Sequence, residues 1–187
     1  MRNSNTGLSH GTSGSPQESI ESLEYEAKVQ EIEAKLKEEL EQQEYPKESL
    51  SNLSNTERFT EGAIKHIFEG EVNNRGKAVG YHYEGVENTT GEVVAGTKTI
   101  PDRNGVYEAN VIINGVSKRG GSTFFPREWS PQQVVNAVNE AYAVRYHIPP
   151  QPNRFEGRLS SGLKVQMFLD DGRPPKIRSA FPVKESI

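Results

Sequence analysis

Cysteine is absent from all 187 positions, which excludes disulfide frameworks, thiolate nucleophiles and zinc–thiolate sites. That suits a reducing cytosol, and equally a secreted protein that must unfold, cross a membrane and refold without bridges. Long apolar runs are missing as well. No stretch approaches the roughly 18–20 residues of a membrane span, so stable membrane insertion is not expected. The opening MRNSNTGLSHGTSGSPQ holds one basic residue and no apolar core, unlike a signal peptide; export would need another route or an upstream segment. No GxxxxGK(S/T) phosphate loop, HExxH pair or GxSxG elbow occurs, so those three chemistries have no motif to carry them. Apolar residues are scarce, at 33% with a mean hydropathy of −0.75. One domain with an appendage fits that composition better than two full domains.

The deficit is uneven. Residues 1–60 carry 6 Lys/Arg against 12 Asp/Glu, a net of −6, whereas residues 61–187 carry 16 against 14, a net of +2. The mildly basic part is compatible with a polyanionic partner. Residues 1–17 are rich in Ser, Gly and Asn and read as a disordered tail. Residues 18–58 read as an acidic helical linker. Ser15 is its expected N-cap, with Pro16 at N1 and Glu18 at N3. Its sparse apolar stripe, Tyr25, Val29, Ile32, Leu36 and Leu40, runs at spacings of 4, 3, 4 and 4. Such a stripe docks on a neighbour more readily than it builds a core. Tyr45-Pro46 ends the helix, because a residue before proline is pushed out of the α region.

Residues 59–187 read as a single α+β domain with antiparallel sheets and few helices. VYEANVII (106–113), Asn114-Gly115 and VSK predict a hairpin through a type I′ turn. Ser130, Pro131 and Gln133 predict a capped helix whose apolar face holds Val134, Val135, Val138, Ala141 and Tyr142. LKVQMFL (163–169), a turn at Asp170-Asp171-Gly172, and KIRSAFPV (176–183) predict a second hairpin. Strict strand alternation would put Ser179 and Phe181 on one face and Lys176, Arg178 and Ala180 on the other.

Four histidines are present. His66 and His82, sixteen residues apart and joined by a glycine-rich loop, are the natural candidates for proton transfer near neutral pH. His147 reads as a cation closing the helix C-terminus, and His10 lies in the tail. A metal site of His66, His82 and Asp102 is conceivable, but its spacing defines no particular metal. The strand with Lys176, Arg178, Ser179 and Phe181 offers cations for phosphate, a hydroxyl and an aromatic face. Phe124, Phe125 and Trp129 read as anchors for the helix, and Thr123 as a turn hydroxyl that could face the site.

Three stretches, KHIFEGEVNNRGKAVGYHYEG, GTKTIPDRNGVYEANVIINGVSKRGGSTFFPREWSPQQVVNAVNEAY and VQMFLDDGRPPKIRSAFPV, stand in this order over about residues 62–184. With His66, His82 and the terminal Ser179-x-Phe181-Pro182, they resemble the EndoU endoribonucleases. The resemblance is strongest to the bacterial branch, found as C-terminal toxin domains of polymorphic and contact-dependent inhibition proteins. The last strand also looks like the end of the coronavirus uridylate-specific endoribonuclease. What this implies is a BECR-type ribonuclease fold and RNA as substrate, with tRNA a candidate. No cofactor would be required, though stimulation by a divalent metal is compatible. Cleavage would leave a 2′,3′-cyclic phosphate and a 5′-OH, with His82 as base and His66 as acid; the sequence equally allows the reverse. Activity would have limbs near two imidazole pKa values. Ser179 would complete the site, and Phe181 stands where many relatives carry tyrosine, keeping a stacking surface without a phenolic donor. Lys98 is the expected catalytic lysine and Lys118 its rival. Lys176, Arg178 and Thr123 would contact substrate. The resemblance further implies secretion or delivery into a target cell's cytoplasm and a cognate immunity protein as partner. Two other readings stand beside it: an inactive RNA-binding module, and an interaction protein acting through its acidic helix.

Overall fold

A computed structural model describes residues 16–186. His10, Ser15 and nearly all of the tail expected over 1–17 lie outside the described residues, while Pro16 and Gln17 already begin a helix. The chain divides into two compact units, 1–36 and 37–187.

In the first unit the described residues belong to helix α1 (Pro16–Gln42). Of its stripe, Tyr25, Ile32 and Leu36 are exposed and Val29 is partly buried, and Ile20 and Leu23 outside the stripe are more than half exposed. Propensity and charge, not burial, account for this segment being helical.

The second unit contains the end of α1 and all later elements. These are α2 (Ala63–Phe68), β1 (Glu71–Val72), β2 (Ala78–Val79), β3 (Gly91–Val93), β4 (Tyr107–Ala109), β5 (Val111–Ile113), β6 (Val116–Ser117) and β7 (Ser122–Phe124), followed by α3 (Pro131–Ala143), β8 (Tyr146–His147), β9 (Arg154–Arg158), β10 (Lys164–Leu169) and β11 (Ile177–Val183). The fold is α+β, with antiparallel sheets ordered β11-β10-β9-β8, β3-β5-β6, β4-β7 and β1-β2.

The linker expected to run to residue 58 differs from this arrangement. Leu50 and Leu53 pack against the main core, because leucines of this size are not left in water when a groove is available. Glu48 pairs with the 85–87 segment through Glu48 N to Gly85 O (2.8 Å) and Glu87 N to Glu48 O (3.1 Å). The Arg127 guanidinium lies 5.1 Å from the Tyr45 ring centroid and donates to the Tyr45 carbonyl at 3.0 Å. Residues 45–59 therefore wrap the domain.

Local chemistry explains α3 and the two hairpins. Ser130 Oγ accepts from Gln133 N while the Gln133 side chain accepts from Ser130 N, a complete capping box with Pro131 at the first position. The buried face of α3 meets β9 and β10, where Gly157 permits close approach: a Cβ there would lie 2.1 Å from the Ala141 carbonyl oxygen. Asn114 (φ 46°) and Gly115 (φ 78°) both take positive φ, as a type I′ turn requires, and join β5 to β6. The expected single strand 106–113 is broken at Asn110, however. Its first half pairs with β7 and its second with β3. In the β10–β11 turn, Asp170 Oδ1 accepts from Lys176 N (2.7 Å) and Gly172 N (3.0 Å), and these amides hold its carboxyl below the ordinary value. His147 does not close α3. It sits on β8, with Nε2 donating to the Gln151 carbonyl at 2.8 Å, while Arg145 covers the helix end by donating to the Tyr142 carbonyl at 2.8 Å.

Two apolar clusters result. The larger joins α2, α3 and β9–β11, with Phe125 and Trp129 stacked at 6.2 Å. The smaller is built on Tyr81, Tyr107, Ile113 and Phe124.

Candidate active site

A cleft of about 790 Å³ is lined by both histidines, Glu71, Lys118, Ser122, Thr123, Asn153, Phe168, Arg178, Ser179 and Phe181. The segments that carry the two histidines are joined through main-chain bonds. Tyr81 N donates to the His66 carbonyl at 2.9 Å and His82 N to the Ile67 carbonyl at 2.7 Å, clamping the 80–82 segment onto the end of α2. This approach needs an unusual backbone. Gly80 (φ 78°) lies so close that a Cβ would sit 2.1 Å from the His66 carbonyl oxygen, and Tyr81 follows at φ 65°. A bulky residue in the left-handed region is strained. It is held by its amide bond and by an edge-on contact of its ring with Phe124 at 5.3 Å.

His82 is 6% exposed. Its Nδ1 lies 2.8 Å from the Thr123 carbonyl oxygen, which can only accept, so Nδ1 carries the proton and Nε2 presents a lone pair. Burial, followed by the nearby Lys118 cation, pulls its pKa down to about 3. The ring is neutral across the physiological range. Phe181 lies over it at 5.6 Å, tilted by 31°.

His66 differs. It is on α2 with Nδ1 3.2 Å from Glu71 Oε1, an ion pair whenever the ring is protonated. The carboxylate fixes Nδ1 as the donor and leaves Nε2 as the free nitrogen.

Lys118, on the β6–β7 connection, donates to the Gly80 carbonyl at 2.9 Å and to Ser122 Oγ at 2.7 Å. Ser122 Oγ in turn donates to the Gly80 carbonyl at 3.1 Å. Burial pulls the lysine pKa down to about 8, so it remains mostly cationic at neutral pH, and its third N–H has no partner among the described residues.

Lys98 is elsewhere. Its ammonium pairs with Glu84 at 2.9 Å and lies 5.8 Å from the Tyr107 ring centroid. Along β4, Glu108 lines the cleft while Tyr107 points to the opposite face, so the Lys98 cluster is behind the strand pair. Of the two lysines weighed from sequence, Lys118 lines the cleft and Lys98 does not. Asp102 is also turned away: Oδ1 accepts from Asn104 N (2.8 Å) and Val106 N (3.0 Å), and Oδ2 from Glu185 N (2.9 Å). Among the described residues no cluster of three or more His, Cys, Asp or Glu could hold a metal ion.

On β11, Ser179 and Phe181 face the cleft, and so does Arg178. The alternation that would send Arg178 to the other face is broken by a bulge, where Phe168 pairs with Ser179 but Leu169 pairs with Ile177. Ala180, on the face opposite Ser179 and Phe181, is buried in the core. Lys176 stays outside the cleft, exposed in the turn. Thr123 is a strand residue and not a turn residue; it lines the cleft and also supplies the carbonyl for His82. Glu71, Ser122, Asn153 and Phe168 were not singled out from sequence. Only Glu71 had a visible signal, a carboxylate just past the helix that carries His66.

Two oriented imidazoles, a half-buried ammonium and a hydroxyl thus surround one cleft of an antiparallel α+β domain, a set able to move protons beside a bound anion. Residues 60–184 match the family described as Bacterial EndoU nuclease, and the chain belongs to that family. It is also 45% identical, over 141 residues, to a Bacillus cereus protein named Toxin. The match covers 74% of this chain and spans about a quarter (25%) of the length of that relative. No solved structure matches.

Proposed function

We propose that the domain cleaves RNA by transphosphorylation, with His82 as base, His66 as acid and Lys118 as the cation on the phosphate. His82 Nε2 takes the proton of a ribose 2′-OH as that oxygen forms its bond to phosphorus. The P–O5′ bond breaks as His66 delivers its proton to the leaving oxygen. The products are a 2′,3′-cyclic phosphate and a 5′-OH, and DNA, lacking the nucleophile, is inert. Lys118 and the adjacent Ser122 hydroxyl neutralise charge on the phosphorane. Ser179 contacts the ribose–phosphate and Phe181 stacks on a base, with Arg178 and Thr123 bordering the strand.

The observation that carries this assignment is the asymmetry of the two histidines. His82 has its Nδ1 proton tied to a main-chain carbonyl, which leaves Nε2 as the acceptor, whereas His66 has a carboxylate counter-ion. The first can accept a proton and the second can hold one. In Lys98 the neighbouring Glu84 already occupies the ammonium, which favours Lys118.

The name of the Bacillus cereus relative supports a toxin role. The domain is the RNA-cleaving part of a longer protein used between competing bacteria and delivered into the target cell's cytoplasm. Its substrate is a tRNA or another structured RNA, and a cognate immunity protein protects the producer by covering the cleft. No metal is required for the chemistry written above.

The test is to incubate total RNA with the protein and with His82→Ala, and to map fragment ends. Cleavage by the wild type alone, with cyclic-phosphate 3′ ends, is expected. Cleavage persisting in His82→Ala, or 3′ ends without the cyclic phosphate, would overturn the mechanism.

A further inference from the structure

The β11-β10-β9-β8 sheet buries Val165, Met167, Leu169 and Ala180 in the main core. Directly opposed residues of antiparallel strands share a face, so the register defines what the other face carries. One row is Arg154–Phe168–Ser179, the next is Glu156–Gln166–Phe181 with Tyr146 beyond Glu156, and the third is Arg158–Lys164–Val183. Ser179, Phe168 and Phe181 also line the cleft. This face is therefore a direct continuation of the catalytic surface.

Its chemistry is of one kind. Three rings (Tyr146, Phe168, Phe181) and three cations (Arg154, Arg158, Lys164) share it with a single acid, Glu156, which is only 8% exposed. Glu156 is internally occupied, accepting from Gln166 Nε2 at 3.1 Å and from the Tyr146 hydroxyl. Arg154 Nε donates to Gln166 Oε1 at 3.1 Å. A hydrogen-bonded ladder thus pre-orders the middle of the face. Arg158 and Lys164 have no side-chain hydrogen bond or ion pair among the described residues and are free to meet an anion. Rings on a sheet face interleaved with unpaired cations suit a polyanion whose base faces are exposed, which a duplex does not offer.

We propose that this sheet face is a binding platform for the unpaired nucleotides flanking the scissile phosphate, with Phe168 stacking on the neighbouring base and Arg158 and Lys164 contacting the phosphates beyond. The inference rests on the RNA-cleavage reading.

The experiment uses the whole chain and a ten-nucleotide unpaired RNA carrying 2′-O-methyl groups throughout, which cannot be cleaved. Binding is followed by fluorescence anisotropy against salt. For Arg158→Ala with Lys164→Ala, the salt slope should fall by about 1.4, from roughly 0.7 per phosphate contact on a single strand. Phe168→Ala should weaken binding roughly tenfold or more. In parallel, kcat/KM is compared on the cleavable ten-mer and on the dinucleotide that contains its cleaved step, and both variants should lower the ratio of long to short. Unchanged affinity and slope in the variants, or equal losses on a fully paired hairpin, overturn the platform even if the wild type cleaves RNA. If the wild type binds as expected but cuts neither RNA, the platform stands and the catalytic reading falls.

Discussion

His82 keeps its neutral state far into the acidic range because the folded site offers a proton little water and a nearby cation. With a pKa of about 3 when folded and 6.5 when unfolded, the unfolded chain binds a proton between those values that the folded chain does not. Stability is therefore full above pH 6.5 and falls as pH drops toward 3. Going from pH 7 to pH 5 should cost the wild type up to about 2 kcal/mol through this residue, and His82→Gln should lose less over the same interval. Urea unfolding at the two pH values measures the difference. On the proposed mechanism, the same burial should place the base's limb of the kcat/KM profile well below the ordinary imidazole range expected from sequence. The two lysines give a second test. Lys118→Ala should reduce kcat about 10²–10³-fold, as loss of a charge-stabilising donor does, whereas Lys98→Ala should change it by only a few-fold. Steady-state kinetics on one RNA separates them. Sequence favoured Lys98 because it follows His82 closely along the chain, but chain proximity says nothing about which face of a strand a neighbouring loop packs on.

Among the elements, those written by short-range chemistry were legible. The Ser130–Gln133 box, the Asn114-Gly115 turn and the β10–β11 hairpin each depend on residues within a few positions of one another. What could not be read was pairing over distance. The division of 106–113 between two sheets is decided by β3 and β7, and the bulge that turns Arg178 into the cleft is a property of two strands together. Gly80 belongs to this scale too. Its missing Cβ lets one segment touch the end of α2, and a methyl group there would drive into a carbonyl. Gly80→Ala should destabilise the domain by more than about 1–3 kcal/mol, the usual scale of a strained backbone site, and should abolish activity by separating the histidines. Thermal denaturation together with cleavage assays would reveal both effects.

For the whole molecule, the division after Leu36 and the packing of Leu50 and Leu53 predict different outcomes for two truncations. Removal of residues 1–36 should leave the midpoint of thermal unfolding and the cleavage rate within error of the full chain, since the second unit holds both clusters. Removal of residues 1–56 should lower stability by a few kcal/mol, at about 1.5–3 kcal/mol for each large apolar side chain fully buried and less where burial is partial. Comparing melting curves of the two truncations checks this. Composition alone could not place that boundary, because the acidic charge of the N-terminal third continues past the point where the chain begins to pack.

The two histidines are oriented by partners of different genetic character. Glu71 is a side chain, so a single codon change can release His66. The partner of His82 is the main-chain oxygen of Thr123, which every amino acid at that position would supply. Mutational scanning should therefore find sensitivity at Glu71 and comparative tolerance at Thr123, despite the latter's shorter bond to its histidine. Only a backbone edit, such as an amide-to-ester replacement weakening that carbonyl, would reach it. Selection acting through codons can adjust one half of the pair far more easily than the other.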